Sequence, residues 1–162
     1  MYDAISLDTS ILRAAGYKFD SGILEKLKQF NGGAIRLLVS EIVIREAYKH
    51  ILGDEKDRKR DLQNFAKRLN GIDGYKDLRE SLLKEAEGLD PPEIASERIN
   101  KFIRETSAEV LLANSATIED ITSAYFSGNP PFDHSGKKKA EFTDAIALFG
   151  LINWAKKKKI DY

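Results

Sequence analysis

Two short apolar runs near the start, "AISL" at residues 4–7 and "AIRLLV" at 34–39, most narrowly restrict what this chain can fold into. Each is too short for a helix and too continuous for a strand with one wet face, so each reads as a buried strand. Between them, "SGILEKLKQF" has the spacing of a short amphipathic helix, and the glycines of "NGG" suit its C-terminal cap. Ser40 then stands where a serine caps the next helix, "EIVIREAYKHIL". Strand, helix, strand, helix in this order predicts an α/β fold with a parallel sheet. Such sheets gather their ligands at the C-terminal ends of the strands.

The middle of the chain has a different character. Residues 53–106 are dominated by charge, with leucine, isoleucine and phenylalanine at helical spacing. "KDLRESLLKEAEG" and "EIASERINKFIRE" read as helices separated by the break "LDPP". "AEVLLA", 108–113, fits a strand or a helix end equally well, and "TIEDITSAYFSG" reads as a helix capped by Thr117. The simplest organisation is a single domain over 1–162 with a helical insertion at 53–106. At 162 residues and 42% apolar content the chain can build a real core. Basic and acidic residues number 26 each, which excludes a uniformly basic nucleic-acid coat but leaves room for local clusters. With no cysteine there is no disulfide framework and no thiolate metal site. "MYDAISLDTS" lacks the pattern of a signal peptide, so the expected compartment is the cytoplasm. The apolar stretch from Phe142 to Ala155 is shorter than the roughly 20 residues that span a bilayer, so no membrane partner is expected.

That stretch holds an awkward residue. Its only polar members are Thr143, Asp144 and Asn153, and helical spacing puts Asp144 on the face of Leu148, Leu151 and Ala155. Glu46 poses the same problem, lying within the inward stripe of Val43, Ala47, His50 and Ile51. Asp8 ends the first strand, where an α/β fold collects its ligands. Three converging carboxylates would repel one another, and a bound divalent cation reverses that penalty. Oxygen-only ligands suit Mg²⁺ or Mn²⁺. Each acid also has a plainer reading: an Asx-turn at Asp8, pairing with Arg45 or outward reach for Glu46, and a helix cap at Asp144 or Thr143. Lys137–Lys139 read by themselves as a solvated face, Lys156–Lys159 as a helix C-terminus favoured by the macrodipole, His134 as an exposed loop residue, and His50 as a helix-face residue packed near the core.

Three segments carry a family resemblance: "ISLDTSIL", "LLVSEIVIREAYKHI" and, most specifically, "AYFSGNPPFDHSGKKKAEFTDAIALFGLINWAKK". They resemble the PIN-like nuclease domains, in the variant with a long helical insertion and a "PPF…KK.EF.DA" signature. The resemblance implies a three-layer α/β/α fold with a central parallel sheet. It also implies metal-dependent cleavage of phosphodiester bonds, usually in RNA, by metal-activated water. On this resemblance Asp8, Glu46 and Asp144 are the catalytic and metal-binding acids. Ser10 or Thr9 supplies a hydroxyl near the metal, Lys137, Lys138 and Lys139 contact substrate phosphates, and Glu141 is an accessory position of the signature.

Two departures bear on these expectations. Thr143 stands where the family usually has proline. After "WAKKKKIDY" the family continues into a further strand with another acid, which Ile160 would begin. The 162 residues are therefore expected to be either a fragment of a longer protein or a shortened member. Without that strand an open edge is expected beside the first one, to be covered by a second copy in a homodimer, another domain or a partner. The alternative to a ribonuclease is a catalytically degenerate PIN-like module that binds RNA or protein, and the nucleic acid itself is RNA or single-stranded DNA. A phosphotransferase using Asp8 as nucleophile is disfavoured, because Ser10 stands where that chemistry wants a second aspartate.

Overall fold

The computed structural model describes residues 3–133 and 141–158. The expectations for His134, Lys137, Lys138, Lys139, Lys159 and Ile160 fall outside those residues. The chain divides into two compact units, one of Met1–Glu46 with Phe102–Tyr162 and one of Ala47–Lys101.

The first unit is built on a parallel sheet in the order β1 (Ala4–Leu7), β2 (Arg36–Ser40), β3 (Glu109–Leu111). Ala4 pairs with Arg36 and Leu7 with Val39, while Leu38 pairs with Glu109 and Ser40 with Leu111. β2 is central, and Leu37, Leu38, Val39 and Ser40 are all buried, so this strand is covered on both faces as a continuous apolar run requires. Each such aliphatic residue contributes about 1.5–3 kcal/mol on burial. β1 lies at an edge of the sheet among the described residues, and its Ile5 is 41% exposed. The run "AEVLLA" resolves as β3, because β2 offers it a parallel partner that no local signal announces.

α7 (Phe142–Lys158) packs on the sheet through Trp154, Ala155 and Leu151 against Leu38, Leu111 and Ala4. Its other flank meets α6 (Ile118–Ser127): Ala145 and Phe149 pack with Ala124, Ile121, Tyr125 and Phe132. Asn153, polar in an apolar helix, donates from its amide nitrogen to the Ser115 carbonyl at 3.0 Å and to Asp120 at 3.1 Å, so its two N–H donors are satisfied. Thr117 caps α6 as its position suggests, accepting from the Asp120 N–H at 3.1 Å.

Three local expectations need correction. Residues 21–30 are not one helix: α2 (Gly22–Glu25) passes into a 3₁₀ turn at Lys26–Phe30. Leu24, Leu27 and Phe30 face inward at a spacing of three, which the tighter 3₁₀ winding keeps on one side. The second strand begins at Arg36 rather than residue 34 and includes Ser40. An additional helix, α1 (Thr9–Ala14), follows β1 directly, with Asp8 as its N-cap.

The second unit contains most of α3 (Glu41–Arg68), all of α4 (Lys76–Gly88) and most of α5 (Pro91–Thr106). α3 runs unbroken well past the "EIVIREAYKHIL" segment; the interior Gly53 costs about 1 kcal/mol of propensity, too little to stop it. Within this unit Glu55 is buried and accepts from Arg58 of its own helix at 2.6 Å and from Arg98 of α5 at 2.8 Å. Lys59 donates to the Leu89 carbonyl at 2.8 Å, tying α3 to the end of α4. Glu55→Ala is expected to destabilise the unit by about 1–2 kcal/mol, below the ~3–5 kcal/mol for breaking a fully buried pair. The discount follows from Arg58, whose side chain is 62% exposed and keeps its water. Native-state hydrogen exchange at α3 and α5 amides measures the effect, and unchanged protection there would show that the clamp contributes nothing. No described helix is long and apolar enough to cross a membrane.

Candidate functional site

The C-terminal ends of β1 and β2 open into a cleft of about 280 Å³, closed on its far side by α7. Ser6, Leu7 and Asp8 line it from β1, Ser40 and Val43 from the β2–α3 junction, and Asp144, Ala147, Leu148 and Leu151 from α7. The first turns of the stripe that carries Asp144 therefore wall a cleft, while Ala155 at its end packs in the core.

This resolves the awkward acid and corrects the expectation of burial. Asp144 is exposed in the structure, and Leu148, one turn further on, is 38% exposed. A carboxylate at the open end of an apolar wall keeps its water and pays little desolvation. Asp8 is likewise exposed, and Glu46 is half-buried. Helical periodicity reports which side chains share a face; it cannot distinguish a face sealed by packing from one lining a groove.

Asp8 is held by its local turn. Its Oδ1 accepts from the Ser10 N–H at 2.7 Å, which is the expected Asx geometry and also caps α1. The Ser10 hydroxyl, and then this N–H, hold the Asp8 carboxyl below the usual carboxylate range, so it is ionised at neutral pH. The Thr9 hydroxyl donates to Glu46 Oε2. Glu46 thus joins the end of β1 through the residue next to Asp8, though it does not itself line the cleft. Arg45, the alternative partner for Glu46, is bound instead to Glu41 one turn earlier, with Nε 2.9 Å from Oε1.

The structure therefore brings Asp8 and Asp144 into one cleft, with Ser10 on Asp8 and Thr9 linking Glu46 to the same strand end. Among the described residues, no group of three His, Cys, Asp or Glu side chains is arranged to hold a metal ion. Glu141 directly precedes α7, and its carbonyl accepts from the Ala145 N–H at 3.0 Å, which closes that helix's first turn.

Two residues of this region were not singled out as site residues from the sequence. Ser40 lines the cleft and is also the helix cap expected of it, its Oγ accepting from the Ile42 N–H at 3.2 Å. Glu41 accepts from the Ala113 N–H at 2.8 Å, fastening the start of α3 to the chain just beyond β3. A serine followed by one acid at the start of a helix signals only a cap, so neither role is readable from local sequence.

The ionisation of these acids has a consequence for stability. The Ala113 N–H and then Arg45 hold the Glu41 carboxyl low; the Thr117 hydroxyl and then Asn153 do so for Asp120. With Asp8, three carboxyls titrate lower in the folded chain than in the unfolded one. Between the two values the unfolded state binds more protons, so this stabilisation is complete above the unfolded carboxylate value of about 4 and is lost as pH falls through the folded values. The melting temperature is expected to drop over that acid window, and Glu41→Gln to flatten part of the drop. Superimposable profiles for the variant and wild type would rule out the Glu41 contribution.

Comparison with known proteins adds one match: the family model for the PIN domain aligns with residues 5–162. No curated protein and no solved structure matches the chain.

Proposed function

Because the chain belongs to the PIN domain family, we propose that it is a metal-dependent ribonuclease acting at the cleft between β1, β2 and α7. PIN domains are generally nucleases and generally use divalent metal ions. The observation that carries the reading is that Asp8 and Asp144, from opposite ends of the chain, line one cleft at the C-terminal ends of parallel strands.

The donor set fits Mg²⁺ or Mn²⁺. Both side chains offer hard carboxylate oxygens, and Asp8 is ionised well below neutral pH. Mg²⁺ is commonly held by one or two carboxylates, with waters and substrate phosphates completing its shell, so a cleft with two acids and an open mouth suits it. When bound, such an ion supplies charge for the phosphodiester and makes water acidic enough to attack it at neutral pH. The chain's own residues do the rest. Asp8 and Asp144 hold the ion, Ser10 keeps Asp8 ionised and oriented, and Thr9 fixes Glu46 beside the same strand end as a third acid. Leu7, Val43, Ala147, Leu148 and Leu151 line the apolar walls. Lys137, Lys138 and Lys139, placed by sequence just ahead of α7, supply cations for the RNA backbone.

The test is incubation of labelled single-stranded RNA with the purified protein and Mg²⁺, Mn²⁺ or EDTA. Cleavage with either metal and none with EDTA supports the reading. Binding without cleavage under any metal favours the second reading, a PIN-like module that holds nucleic acid without cutting. That alternative is favoured by the absence of a three-ligand group among the described residues.

A further inference from the structure

Ser40 both caps a helix and lines the cleft. It is 4% exposed, yet it lines the cleft between Asp8 and Asp144. Its oxygen accepts from the Ile42 N–H at 3.2 Å, which fixes the hydroxyl's orientation. Its own proton has no acceptor among the described residues. A buried hydroxyl proton without a partner is unfavourable, and Ser40 is one of the residues that line the cleft.

The cleft's other polar side chains sharpen the point. Asp8 and Asp144 are acceptors when ionised and would repel an incoming phosphate. The side-chain donors of the lining are Ser6 and Ser40. Ser6 is exposed and served by water, so Ser40 is the lining donor that a ligand oxygen would satisfy. Resting on the ribonuclease reading, we infer that the Ser40 hydroxyl donates a hydrogen bond to a non-bridging oxygen of the scissile phosphate. That contact holds the phosphate against the two acids and makes Ser40 a substrate-binding residue of the reaction. The hydrogen bond is charge-assisted and forms in a desolvated position, where such bonds are strongest.

Three variants separate this role from capping. Ser40→Gly removes the hydroxyl at little cost to the cap, Ser40→Cys is near-isosteric but a much weaker donor, and Ser40→Thr keeps both functions. Cleavage of single-stranded RNA with Mn²⁺ and equilibrium binding of a non-cleavable 2′-O-methyl RNA oligonucleotide are both measured, with melting curves as the fold control. Ser40→Gly and Ser40→Cys are expected to lose about tenfold or more in kcat/KM and in oligonucleotide affinity, the scale of one charge-assisted hydrogen bond. Ser40→Thr should stay within about threefold of wild type, since it keeps the donor. If wild type cleaves and either hydroxyl-free variant that still melts like wild type cleaves equally well, the inference is overturned. If wild type does not cleave, the ribonuclease reading fails by itself and the oligonucleotide decides Ser40. Weaker binding by Gly and Cys, restored by Thr, supports the phosphate contact; equal binding by all four, or none by any, overturns it.

Discussion

Asp8→Asn is expected to reduce Mg²⁺- or Mn²⁺-dependent RNA cleavage by more than about a hundredfold, because loss of groups merely supporting a metal ligand already costs roughly 10–100-fold. Asparagine is the right substitution because it separates the two tasks of Asp8. Its amide oxygen can still accept from the Ser10 N–H, and asparagine caps helices about as well as aspartate. The negative charge that would hold the cation is lost. Melting should therefore stay close to wild type while cleavage disappears, and the comparison needs both measurements on one preparation. Cleavage by Asp8→Asn within tenfold of wild type would move the active site away from the end of β1.

The second large effect is thermal. Saturating Mg²⁺ or Mn²⁺ should raise the melting temperature of the wild-type chain, because the ion binds the folded state and relieves repulsion between the cleft acids. At a hundred times the dissociation constant, linkage gives about 2.7 kcal/mol. For a chain of this size that corresponds to roughly 5–10 °C. Asp144→Asn should lose most of this shift with little change in its metal-free melting, since Asp144 is exposed at the cleft. Differential scanning fluorimetry with a titration of each ion, and Ca²⁺ as a comparison, reads the effect directly. An equal shift in Asp144→Asn would place the stabilising ion elsewhere and remove Asp144 from the proposed ligand set.

The fold was legible where it depends on neighbours in sequence. "AISL" and "AIRLLV" do form strands, but only β2 is buried along most of its length. β1, expected to be buried, is an edge strand among the described residues with Ile5 and Ser6 exposed, because burial depends on neighbouring strands that the run itself does not encode. α4 spans the segment read from leucine spacing and the proline break, and Thr117 caps α6 as its position required. The strand Glu109–Leu111 was undecided for a physical reason. A run this short takes its conformation from its partner, and that partner, β2, lies far away in the chain. The 3₁₀ turn at Lys26–Phe30 and the start of α1 at Thr9 were hidden because a few residues of helix follow packing more than propensity.

By itself, the sequence determined the kinds of side chain available for the site: carboxylates at 8, 46 and 144, hydroxyls at 9 and 10, and no thiols anywhere. It also determined the Asx turn at Asp8, since that bond closes within two residues. Only the tertiary structure decided which of these meet. Asp8 and Asp144 share a cleft because parallel pairing brings the ends of β1 and β2 together and α7 lies across them. The same arrangement leaves the Asp144 end of its helix face open to water, while Leu151 and Ala155 further along that face pack on the sheet as the periodicity predicts. Glu46 is placed by the Thr9 hydroxyl, a contact between residues 37 positions apart that no local pattern encodes. Ser40 became part of the cleft for the same reason. A cap is a local bond, but the cavity beside it exists only once the strands and α7 have packed.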